Sequence, residues 1–226
     1  MEAIHITPVT DIPEVAAGDD LGAMIVERVA SFEDGDVLVV AHKVVSKAEG
    51  RLVGARDRLE TALAESARIL RRAGDMVISE TRHGFVCANA GVDASNVPGD
   101  QVALLPLDAD LSARRIRARI GHLTGADVAV IVSDTFGRAW RLGQTNVAIG
   151  VAGVEPFIDY RGSRDAYGEP LTATRICVVD ELAGAAEVVM GKVDGICAAI
   201  VRGARVSFRP GSAKQVVRPV SEDLFR

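Results

Sequence analysis

The sequence predicts an α+β fold built on mixed or antiparallel sheets. Short apolar runs alternate with stretches of helical period, but predicted strands outnumber predicted helices, so the regular alternation of a Rossmann-type doubly wound sheet is absent. Apolar residues make up 48% of the 226 positions and charged residues 25%, which is typical of a folded domain. Because no repeat or Pro/Gly/Ser-rich linker divides the chain, we expect a single unit over residues 1–226, with room for two intertwined subdomains.

Strands are predicted where apolar and β-branched residues form short runs between turn residues. The runs at 37–41 and 128–132 are apolar throughout, which is typical of strands covered on both faces. The predicted strands cover residues 4–7, 36–41, 75–79, 102–105, 127–133, 146–151, 175–179 and 195–201.

Four helices are predicted from periodicity and capping residues. Asp19 or Asp20 is expected to cap the first helix, and Ser112 the third. Gly74 is expected to stop the second helix, and Gly191 to follow the fourth in the left-handed conformation. The predicted helices cover residues 21–29, 60–73, 113–123 and 181–190.

Composition argues against several partners. The net charge is −5, from 26 basic and 31 acidic residues, so the basic stripe that nucleic-acid binding requires is not expected. The longest apolar runs fall far short of the roughly 20 residues of a membrane span, and the first residues do not resemble an export signal. The three cysteines are odd in number and widely spaced, which favours buried thiols in the cytoplasm.

Several common catalytic motifs are missing. The four histidines lie in separate segments without an H-E-x-x-H motif, and no G-x-S-x-G elbow occurs. The segment GRAWRLGQT at 137–145 differs from a P-loop in its glycine spacing and has Gln144 where the loop requires lysine. A zinc hydrolase, a serine hydrolase and a P-loop enzyme are therefore disfavoured.

The most informative polar residues follow the apolar strand at 128–132. Asp134 and Thr135 are candidate metal ligands, because phosphoryl-transfer proteins often hold a divalent ion with a carboxylate and a hydroxyl at such a position. The alternative is that Asp134 only begins a turn. Arg138 and Arg141 are candidate contacts to phosphate or substrate, or else ordinary surface arginines.

Two other segments carry polar residues of the same kind. Lys43 and Lys47 follow the strand at 36–41 and could meet phosphate oxygens, or could lie at a solvated strand end. Asp93 and Asn96 lie among small residues that allow a ligand to approach the backbone, or they form ordinary Asx turns. The segment 156–171 lacks a clear period and is expected to be a functional or mobile loop.

Taken together, these segments resemble the coenzyme F420-0:L-glutamate ligase family over nearly the whole chain. The chain is similar to the ligase part of the actinobacterial two-domain form, without its flavin-binding domain, and we expect a stand-alone ligase. The matching motifs are IPEVAAGDDL, GDVLVVAHKVVSKAEGRLV, ETRHGFVCANAGVDASNV, VIVSDTFGRAWRLGQTN, YRGSRDAYGEPL and DELAGAAEVVMGKVDG.

The resemblance implies substrates, cofactors and site residues. It implies GTP-driven addition of L-glutamate to F420-0, with further γ-linked extension, two Mg²⁺ or Mn²⁺ ions, a stimulating K⁺, and a tight homodimer. Asp93 and Asp134 would bind one divalent ion and Thr135 a second. His42 stands where relatives often carry a nucleotide-binding hydroxyl residue. The implied GTP-binding residues are Ile12, Pro13, Glu14, Val15, His42, Lys47 and Asn96.

Such a ligase would not need a nucleophilic side chain. A carboxylate must become an acyl phosphate before an amine can replace its oxygen, and cations and lysines can stabilise that phosphoryl transfer. The general base is not identified, and Glu80, Asp159 and Asp165 are candidates. Two alternatives stay open: a ligase for another carboxylate acceptor, and a non-catalytic nucleotide- or deazaflavin-binding protein.

Overall fold

A five-stranded mixed sheet forms the centre of the computed structural model, which describes residues 3–54 and 57–224. Its strand order is β1-β12-β2-β8-β9, and only β2 and β8 run parallel to each other. The strands are β1 His5–Val9, β2 Val37–Ala41, β3 Leu52–Gly54, β4 Ser66–Ala73, β5 Met76–Thr81, β6 Val86–Ala88, β7 Gln101–Ala103, β8 Ala129–Arg138, β9 Arg141–Ala152, β10 Phe157–Asp159, β11 Arg175–Cys177 and β12 Ala198–Arg202. The helices are α1 Leu21–Val26, α2 His42–Ala48, α3 Arg58–Glu65, α4 Ala109–Thr124 and α5 Val178–Met190.

Helices cover both faces of this sheet, which explains its apolar strands. Leu38 and Val130 face a core that includes Ile120 of α4, and α1 packs on the same side. The alternate residues Val39 and Ile131 face α5 on the other side. The predicted α+β class with mixed sheets is therefore confirmed.

Three smaller sheets surround the central one. β4, β5 and β6 form a three-stranded antiparallel sheet, while β3 pairs with β7 and β10 with β11. All eight predicted strands are present with shifted bounds, whereas β3, β4, β6 and β10 were not predicted. Among the described residues, no helix has the length and apolar character required to cross a membrane.

The predicted helix over 60–73 is wrong in its second half. The helix ends at Glu65 and the chain continues as strand β4. Gly74, with φ of 59°, begins the two-residue turn that joins Ala73 to Met76 across the hairpin. A glycine with positive φ serves a hairpin turn as well as a helix end, and here it forms the hairpin.

The other helices differ from their predictions mainly at their ends. Asp20 caps α1 by accepting a hydrogen bond from the Ala23 N–H, as predicted, but this helix ends at Val26. Asp108 caps α4, not Ser112, which lies in the first turn and donates to Glu49. α5 begins at Val178, so the predicted strand over 175–179 ends early.

The structure also differs from the prediction at Gly191, which follows α5, and at α2. Gly191 has φ of 61° but ψ of −167°, so it is not in the predicted left-handed helical conformation. α2 was not predicted, and it begins directly after β2. This helix carries several of the candidate site residues.

Candidate functional site

The carboxyl ends of the parallel strands β2 and β8 bring two candidate residues together. Ala41, the last residue of β2, pairs with Ser133 of β8, so the next residues are His42, which begins α2, and Asp134 of β8. The His42 Nε2 lies 3.1 Å from the Asp134 Oδ1, and the two side chains are 2% and 11% exposed. Ligands commonly bind at this end of parallel strands.

Asp134 and Thr135 lie inside β8 and not in a turn, so the turn alternative for Asp134 is wrong. Thr135 pairs with Asn146 across the β8–β9 hairpin and donates a hydrogen bond of 2.6 Å to its side-chain oxygen. The buried Asn146 amide in turn donates to Glu187 of α5 at 2.8 Å. These bonds fix the Thr135 hydroxyl between the hairpin and α5.

Lys192, just beyond α5, joins this hydroxyl to a third segment. Its ammonium group donates to the Thr135 Oγ1 and lies 2.9 Å from Glu187. Its carbonyl oxygen accepts a hydrogen bond of 3.2 Å from the Asn96 side chain. Asn96 is therefore connected to Thr135 through a single residue.

Asp93 contacts the second residue of α2. The Lys43 Nζ lies 2.7 Å from the Asp93 Oδ2 and also contacts the Ser95 hydroxyl. The Ser95 N–H donates to Asp93 at 2.8 Å, so the Asx-turn alternative is compatible with a site role. Burial acts to raise the pKa of the Asp93 carboxyl, but hydrogen bonds from Lys43 and Ser95 hold it below its ordinary value.

The segment 12–15 lies at the other end of α2. The Lys47 Nζ contacts the Glu14 carboxylate at 2.5 Å, while Val15 is buried and Ile12 packs against the same core. Lys43 and Lys47 are four residues apart and share one face of α2. Their alternative placement at a solvated strand end is therefore wrong.

Arg138 and Arg141 lie at the far end of the β8–β9 hairpin. Arg138 lies four positions beyond Asp134 along β8, which corresponds to about 13 Å at roughly 3.3 Å per residue. Arg138 is exposed and donates to the Leu142 carbonyl oxygen. The structure therefore separates both arginines from the other candidates.

The three candidate bases differ in environment. Asp159 lies at the end of β10, where hydrogen bonds from Arg161 lower its carboxyl pKa to about 2. Asp165 accepts hydrogen bonds from the N–H groups of Tyr167 and Glu169 in the exposed loop. Glu80 lies in the middle of β5, opposite Val86. A carboxylate with a pKa of about 2 is a poor proton acceptor at neutral pH, which disfavours Asp159.

Several residues of this cluster were not identified from the sequence: Ser95, Asn146, Glu187 and Lys192. The register of the β8–β9 hairpin would have placed Asn146 opposite Thr135. No local pattern indicates that Lys192 meets Thr135, 57 positions away in the chain.

The donor atoms are of the type that hard divalent cations prefer. Asp93, Asp134 and Thr135 offer carboxylate and hydroxyl oxygens, which suit Mg²⁺ and Mn²⁺. Within residues 3–54 and 57–224, no three His, Cys, Asp or Glu side chains are grouped closely enough to hold an ion by themselves. The residues thus fit a cation that substrate phosphates and water help to bind, and do not fit a closed structural metal site.

Carboxylates, a hydroxyl and lysines thus gather around the carboxyl ends of two parallel strands in an α+β fold, and donors of these kinds suit binding of phosphate groups and cations. The chain belongs to the F420-0:gamma-glutamyl ligase family, whose sequence pattern matches residues 10–203.

Curated relatives from archaea support this membership. The chain is 43% identical to coenzyme F420:L-glutamate ligase of Methanopyrus kandleri, over 100% of this chain and 99% of the relative. It is 41% identical to the enzyme of the same name from Methanothermobacter thermautotrophicus, over 99% of both chains. Identity to the Methanocaldococcus jannaschii enzyme of that name is 38%, over 96% and 94% of the two chains.

Proposed function

We propose that this ligase uses GTP to join L-glutamate to the deazaflavin precursor F420-0, and then adds further glutamate through the γ-carboxylate. One observation carries this proposal: α2 and the neighbouring strand β8 gather residues from five separate segments into one polar cluster. The segments include Glu14, Lys43 and Lys47, Asp93 and Asn96, Asp134 and Thr135, and Lys192. The family membership supplies the substrates.

The lysines suit the triphosphate. Lys43 and Lys47 present two ammonium groups on one face of α2, and Lys192 presents a third beside Thr135. We assign GTP to this surface, with the segment Ile12, Pro13, Glu14 and Val15 beside it and with His42, Lys47 and Asn96 as further contacts. Positive charge at these positions would stabilise negative charge on the transferring phosphoryl group.

The carboxylates suit divalent cations. We assign Asp93 and Asp134 to one Mg²⁺ or Mn²⁺ and Thr135 to a second. Such ions neutralise the phosphate oxygens and polarise the bond that breaks. We include K⁺ as a stimulating monovalent cation on the family resemblance alone.

The proposed chemistry has two steps. The acceptor carboxylate attacks the terminal phosphorus of GTP, which forms an acyl phosphate and releases GDP. The amine of L-glutamate then attacks the acyl carbon, an amide bond forms, and inorganic phosphate leaves. Holding the reactants in this order accounts for catalysis without a nucleophilic side chain.

We also propose that the protein is a homodimer. At the tip of the β8–β9 hairpin, Leu142 is 98% exposed and Trp140 is 69% exposed. Ile69 and Met76 of the three-stranded sheet are also exposed, and the two regions border an apolar cleft of about 500 Å³. A second copy of the chain would bury these surfaces, which monomers seldom expose together.

The activity test combines the protein with F420-0, L-glutamate, GTP, MnCl₂ and KCl. Mass spectrometry should detect glutamylated F420, with one GDP released for each amide formed. Reactions without glutamate or without F420-0 serve as controls. Absence of product across Mg²⁺, Mn²⁺ and K⁺ concentrations would contradict the proposal, and product from another carboxylate would favour the alternative acceptor. GTP binding without turnover would favour a carrier protein.

Light scattering after size-exclusion chromatography tests the dimer. The wild-type chain should elute with the mass of two copies, and Leu142→Asp should shift the equilibrium toward the 23.8 kDa monomer. Leu123→Asp is the control, because Leu123 is also exposed but lies on α4, outside both regions and the cleft between them. A monomeric wild-type protein would refute the dimer.

A further inference from the structure

His42 is a buried imidazole without a hydrogen-bond partner. Its side chain is 2% exposed, and neither ring nitrogen makes a hydrogen bond with the described residues. A neutral imidazole offers one donor and one acceptor, and leaving both unpaired in the interior reduces stability. An unpaired buried polar atom requires an explanation, and a bound ion is one. His83 Nδ1 is also buried and unpaired, but His42 differs because both of its ring nitrogens are unpaired and one of them faces a carboxylate.

The His42 Nε2 points to where that ligand would lie. It is 3.1 Å from the Asp134 Oδ1, but the two groups are not aligned as a hydrogen bond. Two donors that bind one octahedral cation at about 2.1 Å, side by side, lie about 3.0 Å apart. The observed separation therefore agrees with shared coordination of one cation.

We infer that His42 is a nitrogen ligand of the divalent cation bound by Asp134, and that it makes this site prefer Mn²⁺ to Mg²⁺. The inference rests on the metal site proposed above. It differs from the nucleotide contact expected at position 42, because the partner of the imidazole is now the cation. Imidazole is a common ligand of transition metals, whereas Mg²⁺ is bound mainly by oxygen.

The ligand set favours a cation that accepts both nitrogen and oxygen donors. His42 supplies an imidazole nitrogen and Asp134 a carboxylate oxygen, 3.1 Å apart. Among the described residues His42, Asp93 and Asp134 are not grouped closely enough for all three to hold one ion. In this arrangement, His42 and Asp134 would therefore share the ion with water and nucleotide phosphate oxygens, and Asp93 would have to move toward it.

The test uses Mn²⁺ as a spectroscopic probe, without nucleotide and then with GDP. Electron spin-echo envelope modulation of bound Mn²⁺ should show coupling to a ¹⁴N nucleus, and ¹⁵N-histidine labelling of the wild-type protein should replace it with ¹⁵N coupling. This labelling requires no substitution, so it does not depend on a variant that folds.

Variants then assign the nitrogen. His42→Ser should abolish the coupling, retain Mn²⁺ binding through Asp134, and lower the ratio of Mn²⁺ to Mg²⁺ affinity about tenfold. His83→Gln is the matched control and should retain the coupling. If the wild-type protein binds Mn²⁺ and Asp134→Asn loses it, but no histidine coupling is seen, the role of His42 is refuted while the metal site stands. If Mn²⁺ does not bind at all, both are refuted.

Discussion

The carboxylate of Asp110 accepts a hydrogen bond of 2.9 Å from the backbone N–H of Ala213, 103 positions later in the chain. The same oxygen accepts from the Val151 N–H at 2.8 Å, and the second oxygen accepts from the Ser212 hydroxyl. Asp110 is 5% exposed. One buried side chain therefore connects the first turn of α4, the edge strand β9 and the C-terminal segment.

Replacing Asp110 by alanine should destabilise the fold. The change leaves two backbone N–H groups without their acceptor, at a cost of about 2–4 kcal/mol in unfolding free energy. For a chain of this size we expect the thermal unfolding midpoint to fall by about 5–12 °C. Calorimetry or circular dichroism measures the midpoint. Asp165→Ala, in the exposed loop, is the control, and its midpoint should differ little from that of the wild type. Equal midpoints for the two variants would contradict this role of Asp110.

The three cysteines should be unreactive in the folded protein. Burial raises the pKa of the Cys87 and Cys177 thiols to about 12 and that of Cys197 to about 11. Only the thiolate attacks a disulfide reagent, so at pH 8 these thiols should react about a hundredfold or more slower than an exposed cysteine.

The rate of reaction with 5,5′-dithiobis(2-nitrobenzoate), followed by the absorbance of released thionitrobenzoate, measures this difference. Native protein should release far less than one equivalent of thionitrobenzoate during the time in which guanidinium-unfolded protein releases three, one for each cysteine. Raising the pH toward 10 should increase the native rate, since the thiolate fraction grows as pH approaches the pKa. Rapid reaction of native protein at pH 8 would show that a thiol is accessible and acidic.

The extent to which the fold could be predicted depended on the length of each pattern. The strand β2 and the first residues of β8 are apolar, and both strands were predicted because such a run is typical of a strand covered on both faces. The helix α2 was missed because it is seven residues long, includes two adjacent valines and follows a strand directly. Its position decides where Lys43 and Lys47 point, so the error affected the interpretation of the site.

The sequence identified the site residues that follow a clear local pattern and missed those that depend on tertiary packing. Asp134 and Thr135 follow an apolar strand, a local signal that needs no knowledge of the fold. Lys192 and Glu187 reach the Thr135 region only through the packing of α5 against β9, which no local pattern encodes. Arg138 and Arg141 lie at the hairpin tip, away from Asp134, so their contact with phosphate or substrate stays a prediction.

Asp159 should be dispensable as a proton acceptor. Its pKa of about 2 results from hydrogen bonds and charge supplied by Arg161, so its carboxylate stays ionised across the pH range of activity and gains no proton there. We expect Asp159→Asn to retain kcat within about threefold and to keep the pH profile of the wild type. The assay is glutamylation rate between pH 6 and pH 9, compared with Glu80→Gln. A large loss of kcat in Asp159→Asn, with the fall of activity toward low pH changed in this variant alone, would assign the base to Asp159.

Asp134→Asn tests the centre of the proposed site. The substitution preserves shape but removes a charge, so the variant should fold with nearly the wild-type midpoint while losing an anionic ligand for the divalent cation. We expect kcat/KM to fall at least about 100-fold, equivalent to about 2.7 kcal/mol of transition-state stabilisation.

The control for this variant is Asp127→Asn, which also removes one carboxylate charge, but from an exposed side chain just before β8, at the end of the strand opposite to Asp134. Its activity should stay within about twofold of wild type, since an exposed charge far from the phosphates has little effect through water. If Asp134→Asn binds Mn²⁺ and turns over as the wild type does, the carboxyl end of β8 is not the cation site. The lysines on α2 would then have to neutralise the phosphates by themselves.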